Sequence, residues 1–218
     1  MDKKFILFDL DGTLTDPKIG ITNSVQYSLE TFGIQVADTN DLLPFIGPPL
    51  KDSFCKYYSF NEDTADLAIQ KYREYFSEKG IFENTLYPGM DTLLRNLKEK
   101  GKTLIVATSK PTVFAIRILS HFHIDHYFTF VSGSELDGRR TKKSEVIQYA
   151  LDQCNITALE KAIMVGDREY DIIGANEVGM DSIGVLYGYG NIQELTEANA
   201  AHIVKNVGEL SNLLNSME

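Results

Sequence analysis

The sequence predicts the α/β class: a Rossmann-like parallel sheet flanked by helices, with an all-helical domain inserted after the first strand. Three observations carry this expectation. Short apolar runs alternate with longer segments of helical period, the pattern of βα units that stack into a parallel sheet. The runs at residues 5–10, 103–107, 128–131, 162–165, 182–186 and, more weakly, 202–204 have the length and composition of strands. Between the first two, residues 11–102 hold no convincing β run, and structureless loops of that length are uncommon in compact domains.

Residues 5–10 open the chain as the first strand. The long interval that follows shows helical spacing over residues 21–32, 50–58 and 64–76, with Asn61 placed to cap the last of these helices. We therefore expect an inserted all-helical domain over residues 16–86 and a core made of residues 1–15 and 87–218. After the second boundary, residues 88–100 read as a helix. Pro88 suits its first turn, Met90, Leu93, Leu94 and Leu97 form an apolar stripe, and Gly101 can terminate it. Residues 112–122, 144–154, 170–178 and 192–198 look similar and alternate with the remaining strands. Neither internal repeats nor low-complexity tracts are visible.

Composition bounds the class of function. A chain of 218 residues has room for one large domain, or for a core with a smaller insertion. With 43% hydrophobic residues, 24% charged residues, 16 Gly and 6 Pro, it can bury a substantial core, which excludes global disorder and a collagen-like chain. Thirty-one acidic against 21 basic residues give a net charge of −10, which repels a nucleic acid polymer and an anionic membrane surface. Arg139, Arg140, Lys142 and Lys143 are the densest basic group, too small to reverse this. Only a short apolar run precedes Asp9, so neither a secretory signal nor a transmembrane span is expected. Cys55 and Cys154 stand apart from each other and from the histidines, as two free thiols in a reducing cytoplasm would.

Chemistry concentrates at the strand ends. Asp9-Leu10-Asp11-Gly12-Thr13-Leu14 closes the first strand, and residues i and i+2 of a strand point to the same side, so Asp9 and Asp11 can converge outside the carboxyl edge. Two carboxylates that close cannot both ionise cheaply, so one pKa rises unless a hard divalent cation relieves the repulsion. A calcium loop is the competing reading, but it wants a preceding helix and Gly at the sixth place, whereas Gly12 is fourth. Thr108-Ser109-Lys110-Pro111 follows the second strand, where a hydroxyl at the strand end and a helix whose first turn carries Pro111 aim a side-chain hydroxyl and free N–H groups at an anion; taken alone, an ordinary N-cap explains it better. In Gly166-Asp167-Arg168-Glu169-Tyr170-Asp171, the two aspartates would share one face of a first helical turn, as a metal ligand and its support. The helix macrodipole alone also favours acids there. Lys142-Lys143 precedes a helix, where a cation wants a compensating anion; which lysine meets it is left open by the doublet, and a surface role fits as well.

Two patterns are declined. Gly184, Gly188 and Gly190 do not have the order of a dinucleotide fingerprint. His121, His123 and His126 lack acidic company at zinc spacing and read as a helix-end surface cluster.

In order and strand position these four pieces resemble the motifs of the haloacid dehalogenase-like hydrolase superfamily, over essentially the whole chain. The DxDGT run resembles its first motif, Thr108 to Lys110 its second, Lys143 or Lys142 its third, and Gly166-Asp167 through Asp171 its fourth. The helical insertion is similar to the family's C1-type cap. Tyr87-Pro88-Gly89 and Tyr187-Gly188-Tyr189-Gly190 look like the phosphoglycolate-phosphatase-like subgroup. Ser144 departs from the family's common Lys-Pro pair, so both lysines fit the register, with Lys143 preferred as nearer the helix start.

The resemblance implies a Mg²⁺-dependent hydrolase that acts on small phosphorylated metabolites through an aspartyl phosphate. Asp9 would be the nucleophile. The cation would be held by the Asp9 carboxylate, the Asp11 carbonyl and Asp167, with Asp171 behind. Asp11 would protonate the leaving alcohol and then take a proton from water. Thr108 and nearby amides would bind phosphoryl oxygens, Thr13 and Ser109 would contact the substrate, and Lys143 would neutralise charge shared by Asp9 and the phosphate. The turn at residues 45–51, with Gly47 and Lys51, would read the leaving group. Phosphoglycolate and nucleoside monophosphates are the leading substrates, and a monomer or homodimer is expected. A phosphomutase or pyrophosphatase on the same core is the alternative, as is a phosphonate hydrolase using Lys18, Lys51, Lys56 or Lys71 as a Schiff base. A catalytically idle homologue is disfavoured because Asp9 and Asp11 are both present, and a dehalogenase because it needs neither the second acid nor the metal set.

Overall fold

The computed structural model describes residues 2–217. The chain begins with β1 (Phe5–Phe8), where Ile6, Leu7 and Phe8 are fully buried. A strand apolar on both faces belongs between helical layers. β1 stops short of the full apolar run, because the amides of Leu14 and Thr15 turn back onto the Leu10 carbonyl at 2.9 and 3.0 Å and fold residues 10–15 into a tight turn. Asp11 is therefore a turn residue, and the i, i+2 strand geometry expected for Asp9 and Asp11 does not apply. β2 (Thr15–Asp16) follows the turn.

The chain divides into two compact units, Met1–Asp16 with Leu86–Glu218, and Pro17–Thr85. The second unit contains α1 (Lys18–Glu30), a 3-10 segment Thr39–Phe45, α2 (Leu50–Tyr58), α3 (Glu62–Glu78) and a 3-10 turn Gly80–Phe82. Asn61 caps α3, its side-chain oxygen accepting from the Thr64 amide at 2.8 Å. Ser28 donates to the Ala68 carbonyl at 2.7 Å and ties α1 to α3. The apolar filling is aromatic, with Phe54 stacked on Phe60 and edge-on to Phe45. β3 (Thr85–Leu86) pairs with β2 in a separate two-stranded sheet.

The first unit resumes with α4 (Met90–Glu99), which buries Met90, Leu93, Leu94 and Leu97. Its start lies beyond Pro88, because the Met90 amide bonds to the Tyr87 carbonyl at 3.0 Å and makes Pro88-Gly89 a turn. Then come β4 (Thr103–Pro111), α5 (Thr112–His121), β5 (Phe128–Ser134), α6 (Lys143–Gln153), β6 (Ala162–Gly166), α7 (Glu169–Val178), β7 (Asp181–Val185), α8 (Ile192–Glu197), β8 (His202–Val204) and α9 (Val207–Ser216). Pro111 thus belongs to β4, not to the first turn of α5 as expected. α9 was not foreseen, although Asn206 caps it at 2.9 Å and Leu210 and Leu214 make its buried stripe.

The six-stranded sheet runs β5-β4-β1-β6-β7-β8 with every neighbour parallel. One face packs Leu7, Ile105, Ala107 and Met164 against Val146, Ile147, Ala150 and Leu151 of α6 and Ala175 of α7. The order reverses at β1, whose Phe8 is level with Val106 of β4 and Val165 of β6. That reversal is a topological switch point, the place where open α/β sheets leave a crevice at the carboxyl edge. It sets the ends of β4, β1 and β6 side by side. Among the described residues, no helix is long and apolar enough to cross a membrane.

At the opposite edge, the buried Lys3 ammonium reaches the carbonyls of Glu160 and Ala162 at 2.8 and 3.0 Å and Asp181 at 2.6 Å. Those bonds fasten the entry of β1 to β6 and β7. Replacing Lys3 with Met keeps most of the packing but strands the carbonyls, so urea unfolding should show a loss of about 1–3 kcal/mol.

Candidate active site

Asp9 leaves β1 with its amide still donating to the Val165 carbonyl at 2.9 Å, so its backbone stays fixed to β6. Lys143 is the first residue of α6 and is buried, whereas Lys142 is exposed. The Lys143 ammonium donates to Asp9 Oδ1 at 2.8 Å and to the Ala107 carbonyl at 3.2 Å, and lies 2.7 Å from Asp171 Oδ1. Geometry thus selects Lys143 from the doublet. Burial alone would drive its pKa down, but Asp171 and Asp9 outweigh that and hold it above the usual lysine value. It is a fixed cation between two carboxylates.

α7 starts at Glu169, so Asp167 sits in the turn before the helix rather than on the helical face expected for it. Asp171 lies in the first helical turn, where its Oδ2 accepts the Arg168 amide at 3.1 Å. A β-carbon on Gly166 would come within 2.2 Å of the Asp171 carboxyl carbon, so the glycine is what lets that carboxyl fold back over the end of β6. Asp167 Oδ1 accepts from the Thr13 hydroxyl at 3.4 Å and Oδ2 from the Tyr189 amide at 2.7 Å. Carboxylate oxygens of Asp9, Asp167 and Asp171 all lie within 4.8 Å of one another, and all three residues are buried.

Asp11 is separated from that cluster. Its Oδ2 pairs with the Lys110 ammonium at 2.7 Å, while its Oδ1 is buried without a hydrogen-bond partner among the described residues. The two neighbouring acids are thereby divided between two lysines. Its pKa is raised, first because burial strips water from the carboxylate; Lys110 opposes this, and the charge on Asp9 adds a lesser push. Repulsion between the pair, the cause expected from sequence, is secondary to desolvation.

The remaining expected residues divide by position. Thr108 is buried, and its hydroxyl oxygen accepts the Lys110 amide at 3.3 Å; the carbonyl of half-buried Ser109 accepts from Ser134 at 2.7 Å. In the other unit, Gly47 has φ 105° in the turn before α2, and Lys51 pairs with Asp66 at 3.0 Å and Glu62 at 3.4 Å. His121, His123 and His126 are exposed. Sequence reasoning missed Lys110 as the partner of Asp11 and the work of the Tyr187–Gly190 loop. There the Tyr187 hydroxyl donates to the Thr13 carbonyl at 3.0 Å and the Tyr189 hydroxyl to Asp16. A β-carbon on Gly188 would lie 2.3 Å from the Gly12 carbonyl and 2.5 Å from Asp167. The alternating Tyr and Gly were the available signal, visible only as a family likeness.

The donor set suits a hard divalent cation. Of the three buried carboxylates, two pair with the Lys143 ammonium, which leaves excess negative charge where water is scarce. Asp167 feels this most: burial first, then the charges of Asp171 and Asp9, push its pKa well above the carboxylate range. Burial likewise lifts Asp171 to about 6, against the pull of Lys143. An acid whose pKa is raised by folding stabilises the fold below its unfolded value, near 4, and that contribution is lost as pH rises through the folded value. Without metal, these carboxylates therefore oppose folding at neutral pH. In EDTA at pH 7.5, Asp167→Asn should melt about 2–8 °C above the parent, with the gap closing as pH falls towards 4. A lower melting point at pH 7.5 would contradict this charge balance.

Known proteins resemble this chain along most of its length. Residues 6–185 match the model of the haloacid dehalogenase-like hydrolase family. A 5'-nucleotidase of Pseudomonas aeruginosa is 46% identical over 97% of this chain and 95% of its own length. The tyrosine-protein kinase PtkA of Mycobacterium tuberculosis is 38% identical over 86% of this chain, which spans 63% of that protein. A crystal structure described as a predicted phosphatase from Clostridium acetobutylicum superposes with a TM-score of 0.96 at 52% identity, covering 99% of this chain and 100% of that one. A family model that spans residues 6–185, together with a relative 46% identical along nearly the whole chain, shows that the chain belongs to the haloacid dehalogenase-like hydrolase family.

Proposed function

We propose that this protein is a cytoplasmic, Mg²⁺-dependent phosphatase that hydrolyses small phosphate monoesters through an aspartyl phosphate on Asp9. The observation that carries the reading is the sorting of Asp9 and Asp11. Asp9 is held by Lys143 within the carboxylate cluster, while Asp11 keeps one buried oxygen without a partner. That sorting supports reading Asp9 as the nucleophile and Asp11 as the proton donor and acceptor.

Phosphate monoesters are among the slowest substrates to hydrolyse unaided, so the leaving alcohol must be protonated and the phosphoryl charge met by fixed groups. An oxygen of Asp9 attacks phosphorus as the bond from phosphorus to the leaving oxygen breaks. The Asp11 carboxyl gives its proton to that oxygen, and the alcohol departs. Asp11, now a carboxylate, takes a proton from a water that attacks the same phosphorus, which frees Asp9 and inorganic phosphate. Lys143 stays charged throughout, offsets the negative charge on Asp9 and keeps its carboxylate oriented. Thr108 and neighbouring amides at the end of β4 bind phosphoryl oxygens. Asp9, Asp167 and Asp171, with the Asp11 carbonyl, would hold Mg²⁺, which when bound supplies positive charge to the phosphoryl oxygens.

Nucleoside monophosphates are the leading substrate class, supported by the 46% identity to a 5'-nucleotidase; phosphoglycolate is the next. The reading is tested by phosphate release from nucleoside monophosphates, phosphoglycolate, sugar phosphates and pyrophosphate, with Mg²⁺ and with EDTA. We expect turnover that requires Mg²⁺, vanishes in Asp9→Asn, and falls about 10²–10⁴-fold in Asp11→Asn. Phosphoryl transfer to a second hydroxyl without release of phosphate would instead identify a mutase. Turnover that survives in Asp9→Asn would remove the covalent mechanism.

A further inference from the structure

We infer that Lys110 is a positioning residue: it grips Asp11 by one carboxylate oxygen and leaves the other free to exchange the proton. This rests on the phosphatase reading and deepens it by assigning a group to which no role has been given. Lys110 does not join the cluster of Asp9, Asp167 and Asp171, whose cation is Lys143. Its ammonium lies 2.7 Å from Asp11 Oδ2, with the lysine side chain 6% exposed and the aspartate 11%. Asp11 Oδ1, the other oxygen of the same carboxyl, is buried and has no hydrogen-bond partner among the described residues.

The backbone around Lys110 is built to hold that pose. Ala107 pairs with Ser132 and Pro111 with Ser134, so β4 carries more residues than β5 over that stretch and Thr108, Ser109 and Lys110 bulge from the ladder. The bulge is pinned at each residue. The Lys110 amide donates to the Thr108 hydroxyl oxygen at 3.3 Å, and the Ser109 carbonyl accepts from Ser134 at 2.7 Å. The Lys110 carbonyl packs so closely on Gly133 that a β-carbon there would lie 2.4 Å from it. Arg140 donates to the Gly133 carbonyl at 2.9 Å from the far side. The backbone of Asp11 is bridged to Thr15 at the end of the same turn, which fixes the main chain and not the carboxyl, and an acid misplaced by about an ångström loses much of its effect. The clamped lysine supplies the constraint.

A group that acts through the proton donor has a signature that a structural or phosphate-binding lysine lacks. An alkyl alkoxide needs the proton in order to leave, whereas p-nitrophenolate leaves without it. We would measure kcat/KM, which reports transfer to Asp9 alone, for an alkyl phosphate and for p-nitrophenyl phosphate, both with Mg²⁺. Lys110→Met, and Lys110→Gln as a second variant, should lower the alkyl value about 10–100-fold and the aryl value by less than about threefold, the same selectivity as Asp11→Asn. The inhibition constant of inorganic phosphate should not move, and Lys110→Arg should recover part of the alkyl rate. Equal losses on both esters, or a phosphate inhibition constant raised about tenfold, would make Lys110 a structural or phosphate-binding group and overturn the inference. A parent protein inert towards both esters would fail the phosphatase reading itself, a result distinct from either.

Discussion

Four carboxylates, Asp9, Asp11, Asp167 and Asp171, are buried at the carboxyl edge of adjacent strands, and the lysines that accompany them must divide them correctly. Burying an unpaired charge costs several kcal/mol, so the arrangement survives only because each contact is geometrically exact enough to offset part of that cost. Lys143 spans Asp9 and Asp171, Lys110 takes Asp11, and Asp167 is left to an amide and a hydroxyl. The uneven division is what gives each acid a different character. Equal pairing would have produced a salt-bridge network in which no carboxylate carried excess negative charge.

The rest of the fold supplies the means. A parallel sheet whose order reverses at β1 brings β4 and β6 to either side of the same strand, so residues distant in sequence meet without long loops. The strand ends are then bent by local devices: the turn onto the Leu10 carbonyl at β1, the bulge at β4, and Gly166 at β6. Each takes one polar side chain out of the regular pleat and aims it at the edge. The Tyr187–Gly190 loop closes the other side, giving Asp167 an amide and letting the backbone approach where a side chain would clash. Stability is concentrated away from this edge, in the apolar layer beneath α6 and α7 and in the Lys3 bonds at the strand entry. Such a separation is expected where function requires charges that oppose folding.

Much of this was legible in the linear sequence because strands and helices announce themselves by which side chains they bury. The six apolar runs of the sheet, the stripe of α4, the cap of α3 and the acids at the ends of β1 and β6 all follow from spacing alone. Boundaries were less legible. Pro88 and Pro111 look like helix starts because proline tolerates a first turn, yet one lies in a turn closed by the Met90 amide and the other completes a strand paired with Ser134. α9 carries a cap and a short apolar stripe, but its burial depends on packing that its own sequence does not encode.

The sequence by itself determined that acids and hydroxyls stand at the carboxyl ends of strands, that a lysine doublet precedes a helix, and that helices fill the interval after the first strand. These are local properties, set by periodicity and by the few residues that start or stop an element. Only the tertiary structure decided which lysine serves which acid. Lys143 rather than Lys142 is buried, and it reaches an aspartate 134 residues away; Thr13 meets Asp167 across 154 residues. It also decided that Asp11 belongs to Lys110, and that desolvation outweighs the neighbouring charge in setting its affinity for a proton. The reason is physical: burial and ion pairing depend on which strands are neighbours and how their ends are bent, and neither quantity exists until the sheet has formed.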